Sequence, residues 1–291
     1  MNNQSHDIVR RHYATDENLR IRQETHERYT VPSVDFAAWA LSCVAWRGDE
    51  RVLDVGCGNG LYYTRLIQRY PNLRYIGLDL VPTMLEKHPA PQGLVLGDAL
   101  DLPFASASFD VIMANHMLFH VADVDRALRE FKRVLKPSGT LMIATNSTQT
   151  MPELQVLMRR AIVLLTRNGS TSVRAPGMPS DSFALENGTR YLSRYFRAVV
   201  RYDLPTALVF PESEPAMTYL ESTRDLRQST LPQDVDWDDV MVIMRQQINQ
   251  LVKHLGELVI NKQAGVLLAC EEGGFIEPFL RAQRQDAEGD E

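Results

Sequence analysis

Three glycines at every second position, Gly56, Gly58 and Gly60 in "RVLDVGCGNG" (51–60), follow two residues after an acid, Asp54. Glycine loses much conformational entropy on folding, so such a run marks backbone that must pass close to something. Further along, Asp79 closes the run "LRYIGLDL", 19 residues after Gly60, where an acid accepts hydrogen bonds from ribose hydroxyls. Asp98 in "GDALDLPF" offers a carboxylate to an exocyclic amine, or caps the loop that follows it. "ANHMLFHV" sets Asn115, His116 and His120 after another apolar run, and imidazoles there suit proton transfer near neutral pH. Cys57 reads as a small buried filler rather than a nucleophile. The two histidines do not read as a zinc site, because no further Cys, His or acid cluster completes four ligands.

The elements that must hold these residues are short apolar runs bounded by Gly, Asp or Pro. "RVLDV", "LRYIGLDL", "GLVLGD", "FDVIMAN" and "TLMIATN" read as buried parallel strands. Between the last two, "VDRALREFKRVLK" lines up Val124, Leu128, Phe131 and Leu135 on one helical stripe, and "KPSG" (136–139) is expected to stop that helix and turn the chain. Strands alternating with helices predict a doubly wound α/β sheet. In such a sheet, ligands sit beyond the carboxyl ends of the strands at the switch point, where the glycines fall. The helix start near Leu61 adds unpaired N–H groups. Two cofactor classes fit. A dinucleotide fingerprint runs G-x-G-x-x-G, whereas this chain has G-x-G-x-G.

Composition narrows the function. Lys and Arg total 31 against 37 acids, a formal charge of -6, which argues against a broad nucleic-acid-binding surface. Cys43, Cys57 and Cys270 are far apart and odd in number, so a reducing cytoplasm is the expectation. The start "MNNQSHDIVRR" lacks a signal-peptide core, and no apolar run approaches the roughly 18 residues that span a bilayer. No membrane role is expected.

Taken together, "VLDVGCGNG" (52–60), "YIGLDLVPTML" (75–85), "GDALDLPFASASFDVIMANHMLFHVAD" (97–123) and "ALREFKRVLKPSGTLMIA" (127–144) resemble the class I S-adenosylmethionine-dependent methyltransferases. The likeness is to the small-molecule branch that includes the ubiquinone/menaquinone-biosynthesis type, and it covers about 95 residues in family order. It implies a Rossmann-like, mostly parallel sheet, S-adenosyl-L-methionine as cofactor and a small-molecule methyl acceptor. It also implies that Gly56, Gly58 and Gly60, with Cys57 among them, line the methionine end and that Asp79 meets the ribose. Leu80 would lie beside the adenine, Asp98 and Ala99 at its edge, and Asn115 would sit by backbone near the amino end. Asp54 would order the loop or reach the amino group. His116 and His120 become the candidate bases. Strand four lacks the Asn-Pro-Pro-aromatic ending of enzymes that methylate base amino groups, and no acids join Asn115 as a magnesium site would need. A dinucleotide-dependent oxidoreductase, or a cofactor-binding regulatory protein without methyl transfer, remain the alternatives.

Outside that core, residues 1–48 read as N-terminal helices. Leu19, Arg22, His26 and Tyr29 fall at 0, +3, +7 and +10 on one helical face. The expectation is a lid over the cofactor, with Arg22 or His26 meeting the methionine carboxylate and Tyr29 beside them. Residues 49–146 form the cofactor-binding core. Residues 147–275 form a helical insertion after the fifth strand plus the last strands, and supply Tyr191, Tyr195, Phe196 and Phe210 to an acceptor pocket. A loop at 168–182 and a polar tail at 276–291 complete the plan.

Overall fold

A computed structural model describes residues 2–166, 176–177 and 179–276, with side chains from residue 7 onward except at 179. Most of the expected loop at 168–182 and nearly all of the tail lie outside the described residues. Eight strands form one sheet: β1 (Thr30–Val31), β2 (Arg51–Val55), β3 (Arg74–Asp79), β4 (Leu94–Leu96), β5 (Phe109–Met113), β6 (Leu135–Asn146), β7 (Ala198–Phe210) and β8 (Leu258–Cys270). Their order is β1-β7-β8-β6-β5-β2-β3-β4. β2 pairs in parallel with β3 and β5, and β3 with β4 and β5 with β6 pair likewise, whereas β1 runs antiparallel to β7. The sheet is doubly wound and Rossmann-like, as read from the alternation. The chain leaves β2 toward β3 on one side and later returns to β5 on the other, so a switch point lies beyond Val55.

The stripe of the helix Val124–Val134 is buried as its spacing demands, with Val124, Leu128 and Phe131 in a core that includes Leu53, Leu78 and Ile112. "KPSG" differs from expectation. Leu135 already pairs with Phe109, and the next partners are Val111 and Thr140, so residues 136–139 bulge within β6. Gly139 is required there because a Cβ would stand 2.9 Å from the Asp110 carbonyl oxygen.

The chain divides into two compact units. One comprises 36–146, 183–203 and 265–291 and contains the glycine loop; the other comprises 1–35, 147–182 and 204–264. The second has its own core, in which Met158, Phe210, Leu220, Met244 and Ile260 are buried. Tyr29 packs against that core, and β1 extends the sheet beside β7. The first 35 residues are thus built into a unit. β7 and β8 each run through both units. Among the described residues, no helix is long and apolar enough to cross a membrane.

Candidate active site

At the end of β2 the backbone turns through three left-handed glycines, with φ of 70° at Gly56, 56° at Gly58 and 79° at Gly60. A side chain there would be strained, and space is also short. A Cβ on Gly56 would stand 2.7 Å from Cβ of Met117, and one on Gly60 2.5 Å from Cδ of Pro89 and 2.9 Å from Nε2 of His88. The close neighbours of the loop thus include protein side chains that the motif alone does not reveal. The helix Leu61–Arg69 starts directly behind Gly60.

Asp79 ties the loop to β3. Its Oδ2 accepts the Gly58 N–H at 2.8 Å and its Oδ1 accepts the Val81 N–H at 2.9 Å. The carboxylate is 8% exposed, and burial pushes its pKa up while the backbone donors pull it down. Each oxygen keeps a lone pair for another donor. Leu80 follows, half-buried.

Asp54 lies beneath the loop, 2% exposed, and accepts the Tyr75 hydroxyl at 2.9 Å. Burial pushes its pKa up to about 7; the Tyr75 bond pulls down and the charge of Asp79 adds to the rise. Tyr75 in turn lies 3.1 Å from Nε2 of His88. The Ala90 N–H donates to Nδ1 of His88 at 3.0 Å, so a neutral His88 carries its proton on Nε2 and donates to Tyr75. Burial lowers the His88 pKa to about 4, which keeps the ring neutral. The relay His88–Tyr75–Asp54 went unread in the sequence, since residues 13 and 21 positions apart carry no shared spacing signal. Cys57 is buried, and desolvation, followed by the charges of Asp54 and Asp79, pushes its thiol up. An inert filler fits that environment.

Asn115 ends the stretch after β5. Its Oδ1 accepts the Ala144 N–H at 3.0 Å, which fixes the amide orientation, and its Nδ2 is buried with no hydrogen-bond partner. His116 adopts φ 54°, a left-handed conformation uncommon for a residue with a Cβ, and its ring lies 5.4 Å from that of Phe36. His120 closes a 3-10 turn, Leu118–His120, against the ring of Phe119. At the end of β4, Asp98 Oδ1 accepts the Leu100 N–H at 2.9 Å, so the acid does cap its own loop, and Ala99 is buried in the core. Leu96 pairs with Asp79, which sets Asp98 two residues beyond that partner.

Arg22, His26 and Tyr29 belong to the other unit and have partners there. Arg22 Nη1 lies 3.0 Å from Nε2 of His12 and donates to the Ser222 carbonyl at 3.0 Å, while Nη2 donates to the Tyr13 hydroxyl at 3.4 Å. His26 meets the Tyr219 ring edge-on at 5.6 Å, and Tyr29 packs on Phe210 at 5.0 Å. Phe196 and Phe210 are core residues, 5% and 1% exposed, rather than pocket walls, and the Tyr195 hydroxyl donates to Asp125. Among the described residues, no group of three or more His, Cys, Asp or Glu is placed to hold a metal ion.

Residues 53–143 match the methyltransferase-domain family. A malonyl-[acyl-carrier protein] O-methyltransferase from Legionella pneumophila is 36% identical over 112 residues, 36% of this chain and 39% of that protein. A ubiquinone/menaquinone biosynthesis C-methyltransferase from Dinoroseobacter shibae is 35% identical over 129 residues, 40% of this chain and 52% of that protein. The chain therefore aligns with about half or less of either relative. Phosphoethanolamine N-methyltransferase 2 from Haemonchus contortus, solved with S-adenosyl-L-methionine, superposes with a TM-score of 0.54 at 15% identity, covering 92% of this chain and 60% of that one. At that identity the likeness is one of fold.

Proposed function

We propose that this protein, whose residues 53–143 match a methyltransferase domain, is an S-adenosyl-L-methionine-dependent methyltransferase acting on a small-molecule acceptor. The observation that carries the reading is the bond from the Gly58 N–H to Asp79 across three left-handed glycines at the switch point. The residues present fit the cofactor. Asn115 Nδ2 is a buried donor awaiting an acceptor, and Asp79 has spare lone pairs for ribose hydroxyls. Gly56, Cys57, Gly58 and Gly60 would carry the methionine end, with Asp54 serving its ammonium. Leu80 and Ala99 would flank the adenine, with Asp98 at its amine.

When bound, the cofactor supplies a methyl group on a sulfonium whose thioether leaves readily. The chain's own task is then to align the acceptor and exclude water. His116, held in a strained backbone conformation of the kind that gathers at functional sites, is the proposed base for a hydroxyl acceptor, and His120 its substitute. For a neutral amine or an activated carbon, positioning is the whole mechanism.

The two curated relatives are named for different acceptors, one methylated on oxygen and one on carbon. The matched core ends at residue 143, so residues beyond it choose the acceptor. A nicotinamide dinucleotide would want the third glycine one place later. The test is thermal: S-adenosylhomocysteine raises Tm by mass action and NADH does not. A methyl-transfer screen reading S-adenosylhomocysteine formation then separates an enzyme from a silent binding module. A shift with NADH alone would overturn the reading.

A further inference from the structure

Beneath the glycine loop, the relay His88–Tyr75–Asp54 is built from three separate stretches of chain. Asp54 and Gly77 are register partners on β2 and β3, and Tyr75 stands two residues before Gly77 on the same face of its strand. Its side chain passes the bare glycine to reach Asp54. A Cβ on Gly77 would stand 3.1 Å from the Tyr75 hydroxyl, so glycine there keeps the path open. Among the described residues, that hydroxyl supplies the one hydrogen bond that the Asp54 side chain accepts. His88 is 7% exposed and reaches Tyr75 from the end of the helix Pro82–Lys87, where it also lies against Gly60. The ring of Tyr63 packs on both, 4.7 Å from that of Tyr75 and 5.1 Å from that of His88.

The order of donors in the relay is fixed. Nδ1 of His88 accepts the Ala90 N–H, so Nε2 carries the proton and donates to Tyr75, whose own proton goes to Oδ2 of Asp54. A neutral imidazole and a phenol thus orient the carboxylate without neutralising it. The influences on Asp54 are burial, the Tyr75 bond and the charge of Asp79, and none of them is a cation. A buried carboxylate without a counter-ion is costly, and a cationic ligand brings the missing charge. With one hydrogen bond accepted, the carboxylate keeps lone pairs for an ammonium group.

We propose, resting on the function proposed above, that Tyr75 and His88 are positioning residues for the cofactor: they aim the Asp54 carboxylate at the ammonium of its methionine part. A proton on Asp54 competes with that ammonium and leaves for solvent as the cation enters. Burial pushes the Asp54 carboxyl up to about 7, so the competition falls at neutral pH. The neighbouring groups do not titrate with it. Burial holds His88 down to about 4, so the ring stays neutral, and it pushes the Cys57 thiol and the Tyr75 phenol up, so both keep their protons. The phenol of Tyr63 and the carboxylate of Asp79 complete the surroundings.

The experiment is titration calorimetry on the full chain with S-adenosylhomocysteine and with its analogue in which hydrogen replaces the α-amino group. Both carry the ribose proposed for Asp79, so their affinity ratio isolates the ammonium. The wild type should prefer S-adenosylhomocysteine, and the preference should rise about tenfold from pH 6 to pH 8 as Asp54 ionises. Tyr75→Phe deletes one hydroxyl and keeps the ring. It should weaken S-adenosylhomocysteine about tenfold at pH 7, leave the analogue unchanged and move the rise to higher pH. His88→Phe should act in the same direction, and His88→Gln, which keeps an N–H donor, should hold the wild-type preference. If Tyr75→Phe fails to fold, the two His88 variants carry the test. Equal losses for both ligands in the variants would overturn the proposal and leave Tyr75 and His88 a packing role alone. A wild-type preference that ignores pH, or no preference at all, would also overturn it, while the proposed function would stand on the binding of S-adenosylhomocysteine itself. Binding of neither ligand would overturn both.

Discussion

The glycine loop and the core of the second unit bury polar groups in opposite ways. Around the loop, donors and acceptors largely satisfy one another: His88 to Tyr75 to Asp54, and the N–H groups of Gly58 and Val81 to Asp79. Asn115 Nδ2, by contrast, is buried without a hydrogen-bond partner. In the second unit the Tyr219 hydroxyl donates to the thioether of Met151, and one Arg227 N–H donates to that of Met158. The contrast teaches that the loop closes its polar network with oxygen and nitrogen acceptors from neighbouring strands and turns, whereas the second core sets buried donors against sulfur. Each prediction below tests one side of this contrast.

The largest effect is expected at the chemistry. His116→Ala should lower kcat by about 10²-fold if the acceptor is a hydroxyl, the usual contribution of a general base, while S-adenosylhomocysteine affinity stays put. A pH–rate profile checks it: an acid limb near 6–7 that vanishes in His116→Ala, but not in His120→Ala, names the base. A flat wild-type profile removes both histidines from proton transfer.

Asp79→Ala comes next. It removes the acceptor for Gly58 N–H as well as the proposed ribose contacts, and charge-assisted bonds contribute roughly 1.5–3 kcal/mol each. Calorimetry should show S-adenosylhomocysteine binding weakened at least about tenfold. Unchanged affinity would mean that the loop is held by Leu78, whose carbonyl accepts the N–H groups of Gly56 and Cys57, and that Asp79 serves structure alone.

Gly60→Ala should cost about 1–3 kcal/mol of stability, the usual range for overpacking, because its Cβ meets Pro89 and His88 at a left-handed backbone. Urea unfolding measures it. Gly256→Ala is the control. Gly256 also has positive φ (88°) but open space around its would-be Cβ, so only the conformational part of the cost should appear.

A further effect is the pH dependence of stability due to Asp54. Its folded-state pKa of about 7 exceeds the unfolded value of about 3.9, so the folded state binds the proton more tightly. The stabilising contribution is full below the unfolded pKa and is lost as pH rises through about 7. Asp54→Asn should therefore flatten the fall in Tm between pH 5 and pH 8. An identical slope in the variant would show that Asp54 is already ionised in the folded protein.

The glycine-loop unit was legible from sequence because its signals are local. Asp54, Gly56, Gly58 and Gly60 lie within seven consecutive residues, and Asp79 and Asn115 stand at strand ends that hydrophobic runs announce. The apolar stripe Val124, Leu128 and Phe131 also marked its helix, while Leu135, read as its last member, opens β6 instead. What sequence order could not reveal is why Gly56 and Gly60 must be glycine: Met117, His88 and Pro89 are brought against them by separate turns of the chain. "KPSG" misled for a related reason, since breaker residues announce irregular backbone without saying whether it is a turn or a bulge within a pairing strand.

From its sequence alone, this protein was bound to build a doubly wound sheet with a glycine cradle at its switch point. Periodicity and backbone freedom are properties of neighbouring residues. Only the tertiary structure decided the rest: that 1–35, 147–182 and 204–264 form a second unit, and that Met151, Met158 and Tyr219 belong to its core. Burial and partner choice depend on segments far apart in the chain, and the energetic consequence of a donor meeting sulfur instead of oxygen exists only once those segments are packed.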